Sequence, residues 1–396
     1  MRLRQRSTFC VLAALLTSVA APAAASSGAA ATPAPPSGRT TAVTYQVGPS
    51  HDGHSGDSSL VTPLGQRWSR NLGGPVSYPL IAGGKVFVTS TRTPGGAYGT
   101  TLWALNGRTG ATVWSRSIPG TYYWSAAAYD GGRVFVVNFD GVLRAFDGAT
   151  GVLAWSVQLR GQHAFSSPPT AAGGTVYVGG AGSGGTLYAV RESDGAVLWT
   201  QPVANGDHSS PAVSGTAVFV SYACGLVYGF DRATGARLWF NDGPCEGAGG
   251  ATPVLSGGRV YARDFQGNEI INAGTGRTIG TFRADPAPAF AGTTGLFLSG
   301  GVLRAANGSS TLWTFSGDGG LQTAPIVVGS TVYVGSSTGK VYGLSLAGGA
   351  VVWSTNVGSA VSAPDEFSVA EPLAGLGAGQ GLLVVPAENR LVAYGS

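Results

Sequence analysis

The stretch RVFVVNFDGVLRAFDGATGVLAWSVQ, residues 133–158, decides the fold. It holds three short runs rich in β-branched and aromatic residues, Val134 to Val136, Leu143 to Phe146 and the run ending in Trp155, parted by turns built on Gly141 and on Thr150-Gly151. Such runs between glycine turns read as consecutive antiparallel strands. An apolar run around Ala127, closed by Gly131-Gly132, supplies a fourth strand before them. The unit then repeats. Strands ending in Trp recur at Trp68, Trp114, Trp155, Trp199, Trp239, Trp313 and Trp353, and most intervals are 40 to 46 residues. The long interval between Trp239 and Trp313 holds two periods, with Ile279 and Phe282 replacing the Trp pattern in the strand Thr278 to Phe282. Innermost strands are expected to begin at Pro79, Ala127, Pro168, Pro211, Pro253, Pro288, Pro325 and Pro372, which again gives eight units. After Tyr394 the chain stops one strand short, while the strand Gln66 to Leu72 is left over at the other end. Pairing them removes two open sheet edges. The expectation is an all-β, eight-bladed β-propeller of four-stranded antiparallel blades, its ring closed by the N-terminal strand that carries Trp68.

Composition agrees. Of 396 residues, 65 are Gly and 22 Pro and only 11% are charged, yet 43% are apolar and 10% aromatic, more than a disordered Gly/Pro-rich chain carries. Arg2, Arg4 and Arg6 precede an apolar run from Phe9 to Val19, and Ala23 to Ala25 supply small residues before Ser26, which reads as a cleaved signal over residues 1–25. The run is too short to span a bilayer, which takes ~20 residues. Residues 26–44, rich in Ala, Pro, Ser, Gly and Thr, read as a disordered linker, 45–65 as a lead-in segment and 66–396 as the propeller. Removal of 1–25 takes three arginines and no acid, so the formal charge falls from +4 to +1. No basic cluster of the kind nucleic acid requires is left.

Two cysteines remain, Cys224 and Cys245. Both belong to the fourth unit, in loops that emerge on one face, and in an exported chain a disulfide between them is expected, with two buried free thiols as the alternative. The same face gathers Tyr122, Tyr123 and Trp124, then His163 and Phe165, then Asp207 and His208, then Glu246, around one mouth of the central channel. Aromatics with a few polar partners suit stacking on a glycan or a protein strand. The competing reading is that Trp124 and Phe165 merely plug the channel. Asp365, Glu366 and Glu371, in the insertion between Val361 and Glu371, are the carboxylates on offer for Ca²⁺, against a simple solvated loop. His51, Asp52, His54 and Asp57 read as a polar segment docking on the disc rather than as a metal set.

The pattern Val134 to Val136, Leu143 to Asp147, Thr150, Gly151 and Trp155 resembles the pyrroloquinoline-quinone (PQQ)-like eight-bladed β-propeller repeats, over about residues 66 to 396 and in a secreted bacterial form. The segment Tyr45 to Gly56 is similar to the short motif that precedes the first blade in that family. None of the strand-ending Trp residues is followed by Asp, as WD-type repeats require. Quinone-dependent members hold their cofactor between a Trp and a disulfide of adjacent cysteines, beside Ca²⁺; no adjacent cysteine pair exists here, so no cofactor and no catalytic residue is assigned. The resemblance implies a secreted, non-catalytic binding or scaffold module at the cell envelope or outside the cell. Its expected partner is an envelope protein or a glycan, it is expected to be a monomer, and neither nucleic acid nor a membrane span is expected. The alternative is a divergent quinoprotein or an extracellular polysaccharide-acting enzyme using the aromatic mouth.

Overall fold

Period-two alternation puts every second side chain of a strand into the gap between neighbouring sheets, and the chain builds a ring of such gaps. The structure, a computed structural model, describes residues 41–91, 98–223, 225–242, 250–264 and 267–396. These form eight four-stranded antiparallel blades, the seventh extended by a short parallel strand, His54–Ser55, against Ile326–Val328, with no helix among the described residues. Blades 1 to 7 span residues 80–119, 125–158, 170–203, 212–241, 254–282, 289–315 and 326–356. Blade 8 takes Gly377–Gly379, Leu382–Ala387 and Arg390–Gly395 from one end of the propeller and Gly65–Asn71 from the other. Gln66 pairs with Tyr394, Trp68 with Ala393 and Asn71 with Arg390, so the ring closes as the strand count requires. The first strand of blade 8 begins at Gly377 rather than just after Pro372. The residues between them serve other contacts: Leu373 O accepts from Tyr78 N at 2.8 Å, and a side chain at Gly375 would press on the Tyr45 ring.

One contact recurs at the seams. The outer-strand Trp of a blade lays its ring on the turn between the third and fourth strands of the next and donates its indole N–H to a carbonyl there. Trp68 donates to Gly107 O at 2.8 Å, Trp114 to Gly148 O at 3.2 Å, Trp155 to Glu192 O at 2.9 Å and Trp199 to Arg232 O at 3.3 Å. Trp239 and Trp313 do the same to Ala273 O and Leu346 O, and Trp353 reaches Leu64 O across the closure. The Thr-Gly turn follows from this. Gly151 has φ +68°, and a Cβ there would lie 2.5 Å from the Trp114 ring. Only glycine meets both demands.

Blade 5 breaks the pattern in a way the sequence reading misplaced. By strand register Trp239 opposes Gly229 and Trp313 opposes Ala305, and the matching pair in blade 5 is Gly280 opposite Ile270. The Trp position is therefore Gly280. Phe282, two residues on, joins Tyr261, Phe290 and Phe297 in a cluster with ring centroids 4.4 to 5.8 Å apart in the adjacent pairs.

The lead-in segment crosses the end of the channel that carries the turns between first and second strands. Carbonyls of Ala42, Val43, Pro49, Ser50, Asp52 and Gly53 accept from the amides of Ile81, Tyr129, Val213, Leu255, Phe290 and Val327, at 2.7 to 2.9 Å. Those amides lie on the first strands of blades 1, 2, 4, 5, 6 and 7. Blade 3 is reached by Thr44 Oγ1 donating to Pro169 O, and blade 8 by Asp57 accepting from Gly381 N. Residues 41–44, which composition groups with the linker, are part of this hub: Ala42 and Thr44 are buried. Gly53 has φ +64°, and a Cβ there would lie 2.7 Å from Ala289 Cβ.

The seam contact gives a paired test. Gly84 and Gly151 both have positive φ, but nothing lies within 4 Å of a Cβ at Gly84. Gly84→Ala is expected to cost about 1 kcal/mol, the left-handed backbone penalty alone. Gly151→Ala is expected to cost about 3 kcal/mol, since overpacking against the indole adds to it. Urea melts of the two variants measure the difference, and equal losses would remove the indole from the explanation.

Candidate functional site

The loops between second and third strands and the connections between blades emerge on the face opposite the hub. Here the structure separates the residues that the sequence grouped. Trp124 and Phe165 are core: they are 2% and 0% exposed, and both lie in the apolar cluster between blades 2 and 3. Phe165 packs where Cβ atoms at Gly141 and Gly180 would be, and its ring is 5.9 Å from that of Tyr188. They therefore line the interior of a seam instead of the mouth. Tyr122, Tyr123, His163 and His208 retain surface. Glu246, Cys224 and Cys245 lie outside the described residues, and with them the disulfide.

Two aromatic residues absent from the sequence reading complete a surface group. Tyr122 meets Phe139 at 4.4 Å between ring centroids, and Tyr123 meets Tyr98 at 4.9 Å. Tyr98 is 56% exposed and Tyr122 43%. The loops beneath are pinned: Asp140 accepts from Thr121 N at 3.0 Å and also from the Thr121 hydroxyl, and Gly99 N donates to Tyr122 O at 3.0 Å. The signal for Phe139 was its place in the Asn-Phe-Asp-Gly turn, where an apolar ring has no strand to serve. The result is two ring pairs, Tyr122 with Phe139 and Tyr123 with Tyr98, beside Thr121 and Asp140.

Nearer the axis, the insertion after Val361 reaches back to blades 4 and 5. Glu366 is 6% exposed; its Oε1 accepts from Thr252 N at 2.8 Å and its Oε2 takes Arg263 Nη2 at 2.5 Å. Arg263, 5% exposed, also donates to Asp285 O at 3.0 Å. Phe367 lies 5.5 Å from the His208 ring, and His208 Nε2 is 3.3 Å from Asp207 Oδ2. Burial raises the Asp207 pKa, and the neighbouring His208 pulls it back. Two of the three carboxylates weighed for Ca²⁺ against a solvated loop have other tasks: Glu366 is buried and paired with Arg263, and Asp365 accepts from the Phe367 and Ser368 amides. The second metal candidate dissolves into the hub. His51 Nδ1 and Nε2 contact Tyr45 O and Pro211 O at 2.7 and 3.0 Å, and Asp57 serves Ser59 and Gly381. The residues present do not fit a quinone cradle either, because the cysteines are at 10, 224 and 245 and the buried carboxylate at the channel end is already paired.

Removing one partner of a buried ion pair strands the other charge, which costs about 3–5 kcal/mol where nothing relaxes. Glu366→Ala is therefore expected either to lower stability by about that amount or to free the insertion, read as faster limited proteolysis near Phe367. Wild-type melting and wild-type cleavage together would show that the pair holds nothing.

Comparison with known proteins adds family to geometry. Part of the chain, 62% of it, is 26% identical over 262 residues to the outer membrane protein assembly factor BamB of Yersinia pestis. The match covers 61% of that relative, so the chain spans about three-fifths of its length. Among solved structures, BamB from Moraxella catarrhalis superposes with TM-score 0.65 and 19% identity over 84% of this chain and all of that one. The quinohemoprotein alcohol dehydrogenase of Comamonas testosteroni gives TM-score 0.70 and 13% identity over 90% of this chain and 80% of that one. At such identities the two structures speak for the fold alone. The family profile described as "Outer membrane protein assembly factor BamB" matches residues 63–183, 162–268 and 185–394. With its eight blades and Trp-to-turn seams, the chain belongs to this PQQ-like repeat family.

Proposed function

We propose that the protein is a non-catalytic binding module of the cell envelope, exported by its N-terminal segment, which presents a rigid disc to a protein or glycan partner and carries no resident cofactor. Membership of a family described by an assembly factor supports the reading. The observation that carries it is the surface group in which exposed Tyr98 and Tyr122 pack on the part-buried Tyr123 and Phe139. Rings of this kind contribute contact area at low entropic cost, and Tyr is enriched where binding energy concentrates. Among the described residues there is no helix long and apolar enough to cross a membrane.

The divergent-enzyme reading draws on the fold likeness to the quinohemoprotein alcohol dehydrogenase and on partial sequence matches to a polyvinylalcohol dehydrogenase of Sphingopyxis and a quinohemoprotein alcohol dehydrogenase of Pseudomonas putida. It lacks the adjacent cysteine pair that would go with that likeness. A photo-crosslinking amino acid placed at Tyr122, and as a control at the outward-facing Leu198, separates a used face from an unused one. In cells, discrete adducts are expected from position 122 and none from 198. Equal labelling, or none, would contradict the proposal. Turnover of an alcohol by the purified chain supplied with pyrroloquinoline quinone and Ca²⁺ would replace it with the enzyme reading.

A further inference from the structure

The seam between blades 5 and 6 is built differently on both of its sides. Blade 5 has Gly280 at the Trp register, and a Cβ there would meet only Ile270 Cδ1, at 3.7 Å. Blade 6 lacks the matching turn. Ala305 pairs with Trp313, eight residues on, whereas Ala145 pairs with Trp155, ten residues on. The Thr-Gly corner that receives an indole elsewhere is thus shortened to Gly308-Ser309, and nothing lies within 4 Å of a Cβ at Gly308. The ring and its receiving turn are missing together.

What remains is a cleft. A cavity of about 630 Å³ is walled by Tyr261, Phe282, Phe290 and Phe297, with Arg304 and Arg259 as its charged lining residues. Among the described residues, no Asp or Glu lines it. A second cavity of about 690 Å³ toward the opposite face shares Thr281, Phe282 and Arg304 with the first. Arg304 therefore stands where the two meet. Its guanidinium carbon lies 5.2 Å from the Phe297 ring centroid, and it has no hydrogen bond or ion pair among the described residues. A half-buried guanidinium with its N–H donors unspent is suited to a carboxylate, which it receives with two parallel bonds. The volumes fall within the ~300–1,000 Å³ usual for small-molecule sites.

We propose that this cleft is a binding site for a small planar aromatic acid, its ring taking the place of the absent indole and its carboxylate meeting Arg304. The ring supplies what the seam lacks, an aromatic slab between two sheets. The acid neutralises the arginines of the first cavity, while Asp264 and Glu269 line the second.

Calorimetric titration of the full chain with indole-3-propionate and with indole tests the site. The acid is expected to bind at least tenfold more tightly than indole. Arg304→Gln is expected to reduce the acid to the level of indole, and this half-exposed side chain has no hydrogen bond whose loss would unfold the chain. Gly280→Trp is expected to abolish binding of both probes and to raise Tm by filling the seam. Absence of binding by either probe, an acid preference unchanged in Arg304→Gln, or undiminished binding in a folded Gly280→Trp would each overturn the proposal.

Discussion

The indole that seven of the eight blades lay against the next is the constraint from which the rest follows. A blade buries its faces only against neighbours, so a ring of eight is as firm as its seams. Each such contact combines a large ring taken wholly or partly out of water with an N–H that finds a carbonyl within 2.8 to 3.3 Å, and six of the seven add a glycine whose missing Cβ makes room. Truncating a buried ring of this size typically costs about 3–5 kcal/mol. Closure depends on the same contact, because Trp353 donates to Leu64, on the segment that leads into the strand completing blade 8.

A second device works at the axis. First strands in a propeller converge on a channel whose backbone amides would be poorly satisfied, and the lead-in segment answers six of them with its own carbonyls. His51 and Gln46, both buried, are held there by carbonyl contacts from distant parts of the chain. At the opposite end, the Arg263–Glu366 pair fastens the insertion to blade 5.

Blade number, strand order and closure were legible in the sequence because they rest on local signals: Trp spacing, Thr-Gly turns and period-two runs. The missing blade-5 copy was found by its period, but its Trp position was assigned to Ile279 and Phe282, since only strand pairing shows that Gly280 opposes Ile270. The mouth was less legible. Trp124 and Phe165 share a loop class with Tyr122, yet burial is decided by glycines in other strands, Gly141 and Gly180, which sequence order does not bring to Phe165. Tyr98 and Phe139 were missed for the converse reason, since exposure leaves no periodic trace. The role of Glu366 depended on a partner 103 residues away.

If the indole contact sets seam strength, the seam without one is the weakest in the ring. Hydrogen exchange across the disc under native conditions measures this directly. Amides of Thr278–Phe282 and Ser310–Phe315 are expected to exchange well before those of Leu153–Gln158 and Val351–Asn356, which occupy the same outer positions beside seams that carry a Trp. Uniform exchange around the ring, or first opening at a Trp-bearing seam, would contradict the account.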